Sequence, residues 1–316
     1  MNTATLSPPL TVRGRLRLIA GDIKIAHSVF ALPFAILAAF MAAAPRGAAI
    51  DWRGFGGQLA LIVAAMVCAR TVAMLANRWI DREIDKHNPR TKNRPLASGQ
   101  LSAGAAVVAM IACAIAFTAV CGVFGMVYGN WWPLILSLPV LTWISAYGYL
   151  KRFTALCHIY LGSSLALSPI AAAIAIQPES VAPWSSMFQP GLWLLSAMVL
   201  CWVAGFDIIY ALQDVEVDRA QNLHSMPARL GVTKAMWVSR ALHALAAACL
   251  FAHAVTDDRF GVLFLAGCAI VAGLLIYEHL TVSRWGASKI ALAFFTLNGI
   301  ISCLLGLLGV LDLIAV

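Results

Sequence analysis

Apolar runs of about twenty residues recur along the whole chain, each long enough for a helix to cross a hydrocarbon core of about 30 Å. They fall near residues 25–44, 57–76, 104–125, 131–150, 154–176, 190–212, 234–254, 260–280 and 289–312. Backbone polar groups inside a bilayer must be satisfied within the segment, so runs of this length and composition predict helices. The expected fold is all-α, with nine spans in a single domain over residues 1–316 and a short segment, 1–22, ahead of the first span. The tight connections around Gly129 and Lys151-Arg152 set the count.

Of the 316 residues 61% are hydrophobic and only 11% charged, against about a quarter charged in an ordinary soluble domain. The first apolar run ends in small residues at Ala42–Ala44, as a cleaved leader would, but it is long for one and Asp22 and Lys24 stand at its start, so it is read as a span.

Basic residues retained in loops mark the cytoplasmic side. With nine spans and an inner N-terminus, the inner connections hold Arg13, Arg15, Arg17 and Lys24; then Arg78, Arg82, Lys86, Arg90, Lys92 and Arg94; then Lys151 and Arg152. Further inner residues are Arg219, Arg229, Lys234, Arg240, Arg284 and Lys289, whereas the outer connections hold Arg46, Arg53 and Arg259. The formal net charge of +8 thus belongs to one membrane face, where it suits anionic lipid or an anionic substrate. No basic stripe interleaved with aromatics is present, and no nucleic-acid partner is expected. The eight cysteines form no CxxC pair and lie in predicted helices, where they read as inert buried thiols.

Carboxylates are scarce, which gives weight to where they fall. Asn77, Asp81 and Asp85 step by four, so they line one helix face at the inner end of the second run. Pro89 and Pro95 break the basic stretch that follows and allow it to fold back over the acids. At the inner end of the sixth run, Asp207, Tyr210, Asp214 and Asp218 are spaced by three and four, again predicting one face. Hard cations such as Mg²⁺ take oxygen ligands, commonly one or two carboxylates plus substrate phosphates. Two facing acid pairs beneath a basic loop therefore suit a diphosphate on an apolar chain better than a free ion. Glu83, Glu216 and Arg82 lie off these faces and read as solvated charges.

Arg70 sits two turns before Asn77, deeper in the apolar run, where a cation needs an anionic partner. That partner is either a protein acid such as Asp207 or a substrate carboxylate. His27, beside Lys24, reads as a structural hydrogen-bonding residue, and His158 and His224 carry no assigned role.

These residues resemble the UbiA superfamily of intramembrane aromatic prenyltransferases, which carry a first motif NDxxDxxxD and a second DxxxD. Asn77, Asp81 and Asp85 match the first, with Arg78 where many members have Asp, and Asp214 and Asp218 match the second. Arg90-Thr91-Lys92-Asn93-Arg94-Pro95-Leu96-Ala97-Ser98-Gly99 is similar to the family loop RTxxRPLxSG. The resemblance implies a nine-span helical fold around a central cavity, and Mg²⁺-dependent transfer of a polyprenyl group from its diphosphate to an acceptor. It further implies metal and diphosphate ligation by Asn77, Asp81, Asp85, Asp214 and Asp218, diphosphate contacts from Arg90, Arg94 and Lys151, and an acceptor-facing Arg70. Tyr210 and Asp207 would lie near the allylic cation and the acceptor hydroxyl.

Arg78, the Ile23–Ser28 segment with Phe30-Ala31-Leu32-Pro33, and Gln213 point to the branch described as acting on 4-hydroxybenzoate, some members of which resemble enzymes prenylating a dihydroxynaphthoate in menaquinone formation. Both acceptors carry a carboxylate. The reading from another class is a secondary transporter, whose acids would be expected nearer the bilayer middle.

Overall fold

The computed structural model describes residues 12–23, 30–44, 50–286, 290 and 292–315. Lys24, His27, Arg46 and Lys289 lie outside the described residues. Among the described residues twelve α-helices follow one another: α1 (Val12–Ile23), α2 (Leu32–Ala43), α3 (Trp52–Lys86), α4 (Ala103–Tyr128), α5 (Trp132–Leu150), α6 (Cys157–Ile176), α7 (Pro190–Ala211), α8 (Val215–Ala220), α9 (Met226–Leu230), α10 (Val232–Thr256), α11 (Val262–Trp285) and α12 (Asn298–Ala315). Among the described residues eight helices are long and apolar enough to cross a membrane, and α2 is a ninth, shorter apolar helix. The chain is a multi-pass membrane protein.

The ends of these helices follow local chemistry. Asp51 accepts from Arg53 N at 3.2 Å to cap α3, and the Ser102 hydroxyl accepts from Ala105 N to cap α4. Gly129 takes φ +71° at the end of α4, a left-handed conformation that suits glycine, so α5 begins after only three residues. The tight joint foreseen there is a true chain reversal.

At the centre stands α7, 67% of whose spanning window is buried, against 17% for α4 at the periphery. Phe34 on α2 meets Trp202 on α7 edge to face, and the Trp202 indole donates to Asn298 Oδ1 on α12 at 2.7 Å. Helix α6 packs directly on α7, because a Cβ at Gly162 would collide with the Leu200 carbonyl. The outer faces expose Val108, Ile111, Ile115 and Met126 on α4 and Ile135 and Leu138 on α5, as lipid contact requires.

The first apolar run is uniformly hydrophobic because α2 is enclosed on all sides, by α6, α7 and α12 among others. Its far end is held by Arg259, counted in the sequence as an outer-loop charge. The guanidinium is buried, donates to Met41 O at 3.0 Å, to Ala44 O and to Gln189 Oε1 at 3.0 Å, and pairs bidentately with Asp257. Arg259 serves as an internal helix clamp rather than a solvated positive charge.

Helix α3 has 35 residues and extends roughly 52 Å at 1.5 Å per residue, well beyond the hydrocarbon core. Its projecting end carries the first acid motif. The α6–α7 order on the other side brings the second motif to the same membrane face. There the connections are tied together: Gln221 Nε2 donates to Ile84 O at 3.3 Å, Arg152 to Ile80 O at 2.7 Å, and His224 N to Lys151 O at 2.6 Å.

Candidate active site

Asn77, Asp81 and Asp85 occupy the last turns of α3, and both acids are buried at 3% and 5% exposure. Buried carboxylates need partners, and the partners here are basic. Asp81 Oδ2 accepts from Asn77 Nδ2 at 3.2 Å and pairs with Lys151 Nζ at 2.8 Å, while Arg152 stands 3.6 Å from Oδ1. The Asp85 carboxylate accepts from Arg94 NH1 with both oxygens, at 2.9 and 2.8 Å. The Thr91 hydroxyl donates to Asp85 O at 3.2 Å, so the basic loop is folded onto the helix it follows.

The second motif is not carried by one unbroken α-helix. Helix α7 ends at Ala211, a 3-10 turn covers Leu212–Asp214, and α8 restarts at Val215. A 3-10 turn advances three residues per turn instead of 3.6, which shifts the register of the acids beyond it relative to α7. Asp214 thereby reaches the first loop: Asn88 Nδ2 donates to its Oδ1 at 2.9 Å, Arg90 Nε donates to Oδ1 at 3.1 Å, and a second Arg90 nitrogen holds Oδ2. Arg90 NH1 also donates to the Tyr210 hydroxyl at 2.8 Å, with the guanidinium 5.1 Å from that ring. Asp218 is buried in α8, within electrostatic reach of the Lys151 that holds Asp81.

The two motifs thus share one site, joined through Asn88, Arg90 and Lys151 rather than carboxylate to carboxylate. Among the described residues, no three His, Cys, Asp or Glu side chains gather as a self-sufficient metal cage. The donors nevertheless fit a hard divalent cation shared with a substrate. All are oxygens, and Asp81 Oδ1 is buried with no hydrogen-bond donor. Mg²⁺ ordinarily takes one or two protein carboxylates and completes its shell with phosphate and water.

Deeper in the bundle the Asp207 carboxylate meets His158 Nδ1 at 2.7 Å. His158 Nε2 accepts from Met226 N at 3.2 Å, which fixes the tautomer: Nδ1 carries the proton and points at Asp207. The expected alternative of an Arg70–Asp207 pair is not what the fold makes, since Asp207 has His158. Arg70 Nε is buried without a hydrogen-bond partner, and Arg70 has no ion pair among the described residues. Tyr147, on α5, stands within electrostatic reach of Arg78, Asp81, Arg70 and Asp207.

Asp22, on α1, meets Arg78 Nε at 3.4 Å with both side chains buried. Burial pushes the Asp22 carboxyl above the ordinary carboxylate range, with Arg78 pulling the other way. Off the shared faces, Glu83 pairs with Lys86 and Arg82 near solvent, as solvated charges do.

Five residues of this site carry no role in the sequence reading: Asp22, Asn88, Tyr147, Arg152 and His158. Tyr147 lies four residues before Lys151, a helical spacing that places it below the basic residue and that was there to be read. The His158–Asp207 pair bridges 49 positions and leaves no local pattern.

Residues 31–300 match the UbiA prenyltransferase family, and the chain belongs to that family. A relative from Methylococcus capsulatus, named 4-hydroxybenzoate octaprenyltransferase, is 30% identical over 241 residues, covering 75% of this chain and 76% of that protein. Among solved structures, the apo structure of a UbiA homolog from Aeropyrum pernix K1 is 28% identical and superposes with a TM-score of 0.72 over 92% of this chain and 97% of that one. A UbiA homolog from Archaeoglobus fulgidus bound to DMAPP and Mg²⁺ shares the fold at a TM-score of 0.69 and 16% identity, covering 94% of this chain and 99% of its own. The protein is accordingly a membrane prenyltransferase, and the transporter reading falls away.

Proposed function

We propose that this prenyltransferase moves a polyprenyl group from its diphosphate to an aromatic carboxylate, with 4-hydroxybenzoate as the preferred acceptor, in respiratory quinone synthesis at the bacterial inner membrane, its basic face in the cytoplasm. The observation that carries the reading is the convergence of Asn88 and Arg90 on Asp214. It joins two oxygen-rich motifs, far apart in sequence, beside the cations Arg90, Arg94 and Lys151.

Arg90, Arg94 and Lys151 bind the departing diphosphate and stabilise the charge that builds on it as the carbon–oxygen bond lengthens, a form of electrostatic catalysis. Mg²⁺ held by Asp81, Asp85, Asp214 and Asp218, with Asn77 beside Asp81, would add Lewis-acid stabilisation of the same leaving group. As the diphosphate takes over the basic side chains, these acids lose their present partners and become available to metal.

The allylic carbon then carries positive charge, and Tyr210 presents a π face next to it. Arg70, which has no ion pair among the described residues, receives the acceptor carboxylate. Asp207, oriented by His158, holds the acceptor hydroxyl and makes the ring carbon beside it more nucleophilic. Attack by that carbon forms the new carbon–carbon bond, and loss of the ring proton restores aromaticity.

Membranes containing the protein, incubated with Mg²⁺, a polyprenyl diphosphate and either 4-hydroxybenzoate or a dihydroxynaphthoate, test this reading. A prenylated 4-hydroxybenzoate with release of diphosphate is expected. Product from the naphthoate alone would move the protein to the menaquinone branch, and no product with any aromatic acceptor would overturn the proposal.

A further inference from the structure

A short relay of polar contacts leads from α1 into the first motif. Asp22 Oδ1 lies 3.4 Å from Arg78 Nε, Arg78 NH1 donates to Asn77 Oδ1 at 3.3 Å, Asn77 Nδ2 donates to Asp81 Oδ2 at 3.2 Å, and that same oxygen pairs with Lys151 at 2.8 Å. An amide has one accepting and one donating end, so the hydrogen bond from Arg78 decides which end faces Asp81. Helix α1 is seated independently of this relay, because Ile19 packs against Leu96, Leu101 and Ala106 around the basic loop.

Resting on the prenyltransferase reading above, we propose that Asp22 is a positioning residue for the diphosphate site, anchoring Arg78 so that Asn77 presents its amide nitrogen to Asp81. Arg78 is nine-tenths buried and lies within electrostatic reach of Arg70 and Arg94, so it sits among like charges. Asp22 supplies the counter-charge that keeps it there. Without Asp22, the Arg78 guanidinium is drawn toward Asp85, the other carboxylate within its electrostatic reach, where it competes with the metal for that acid. Desolvation largely cancels the attraction of a buried ion pair, so the pair contributes more to geometry than to stability.

The test uses the full-length protein in lipid bilayers. Prenyl transfer is measured against Mg²⁺ concentration, and Mn²⁺ binding in the presence of inorganic pyrophosphate is read from the loss of the free-ion electron paramagnetic resonance signal. Asp22→Ala, and the near-isosteric Asp22→Asn as a guard against misfolding, are expected to raise half-saturating Mg²⁺ about tenfold, weaken Mn²⁺ binding in parallel and change kcat less. Asp22→Glu is expected to restore both, and Asp22→Ala combined with Arg78→Ala to lose no more than Asp22→Ala alone. Unchanged metal binding and half-saturation in Asp22→Asn, or strictly additive losses in the double variant, would refute the inference and leave the prenyltransferase reading standing. Absence of turnover by the wild-type protein would strike the functional reading instead, and the Mn²⁺ measurement would still judge Asp22.

Discussion

Arg90 and Asp214, 124 positions apart, form a bidentate guanidinium–carboxylate pair, with Arg90 Nε 3.1 Å from Asp214 Oδ1. The same guanidinium reaches the Tyr210 hydroxyl. One side chain therefore ties the second acid motif to the aromatic residue one turn before it.

Replacing Asp214 or Asp81 with Ala is expected to lower kcat by at least about a hundredfold, the scale of losing one electrostatic contact made in the transition state. The check is product formation by variants that insert and purify like the wild type. Near-wild-type rates in both would contradict the role given to these acids.

Arg90→Ala should raise KM for the polyprenyl diphosphate and lower kcat together, because the residue is proposed to bind the headgroup and also holds the Tyr210 hydroxyl. Arg90→Lys should recover part of the KM effect and little of the kcat effect, since a lysine cannot bridge Asp214 and Tyr210 in one planar fork. Steady-state kinetics with the donor varied separates the two.

Arg70→Ala is expected to impair 4-hydroxybenzoate more than a phenolic acceptor lacking the carboxylate. An Arg in mid-span costs about 3 kcal/mol to hold there. Its retention without a protein anion among the described residues is best explained by a bound one. Equal losses for both acceptors would assign Arg70 a structural role.

His158→Phe keeps the ring volume but removes the hydrogen bond to Asp207 and the acceptor for Met226 N. A fall in kcat of tenfold or more is expected, with donor KM little changed, because the change is confined to the acceptor side. A variant indistinguishable from wild type in kcat would detach His158 from the reaction.

At the opposite face, Asp257→Asn should lower the melting temperature at neutral pH by removing the anion that neutralises buried Arg259, a loss of about 3 kcal/mol. Burial works to raise the Asp257 pKa, but the hydrogen bonds and charge of Arg259 outweigh it and hold the carboxyl below its ordinary value. A depressed carboxylate pKa stabilises the fold above the unfolded value of about 4 and loses that contribution as pH falls through the folded value. Wild type and variant should therefore differ most above about pH 5 and converge in acid, as followed by thermal unfolding in detergent.

Much of this architecture was legible in the apolar runs, because membrane-spanning helices must satisfy their own backbone and so write their length into the sequence. The Asn77, Asp81 and Asp85 face was legible for a similar reason: α3 continues unbroken through all three. In the second motif the acids themselves were legible, but nothing local announces that residues 212–214 tighten into a 3-10 turn or that Asp214 meets Arg90. Arg259 was placed in an outer connection, where the fold keeps it, but counting loop charges cannot show that its guanidinium is buried against the Met41 and Ala44 carbonyls. Arg70 was given two possible partners, and only the fold reveals that Asp207 already has His158.

Every acid of the first motif, and Asp214 of the second, is engaged in the described structure by a lysine or arginine that the leaving group would also claim. On the proposed function, ligation would work as an exchange: a pyrophosphate headgroup that drew these cations away would lower the work of loading magnesium, and by reciprocity magnesium would tighten the grip on the headgroup. A site built in this way is electrically self-neutralised at rest, and on the proposed function it would take up ion and lipid as a couple.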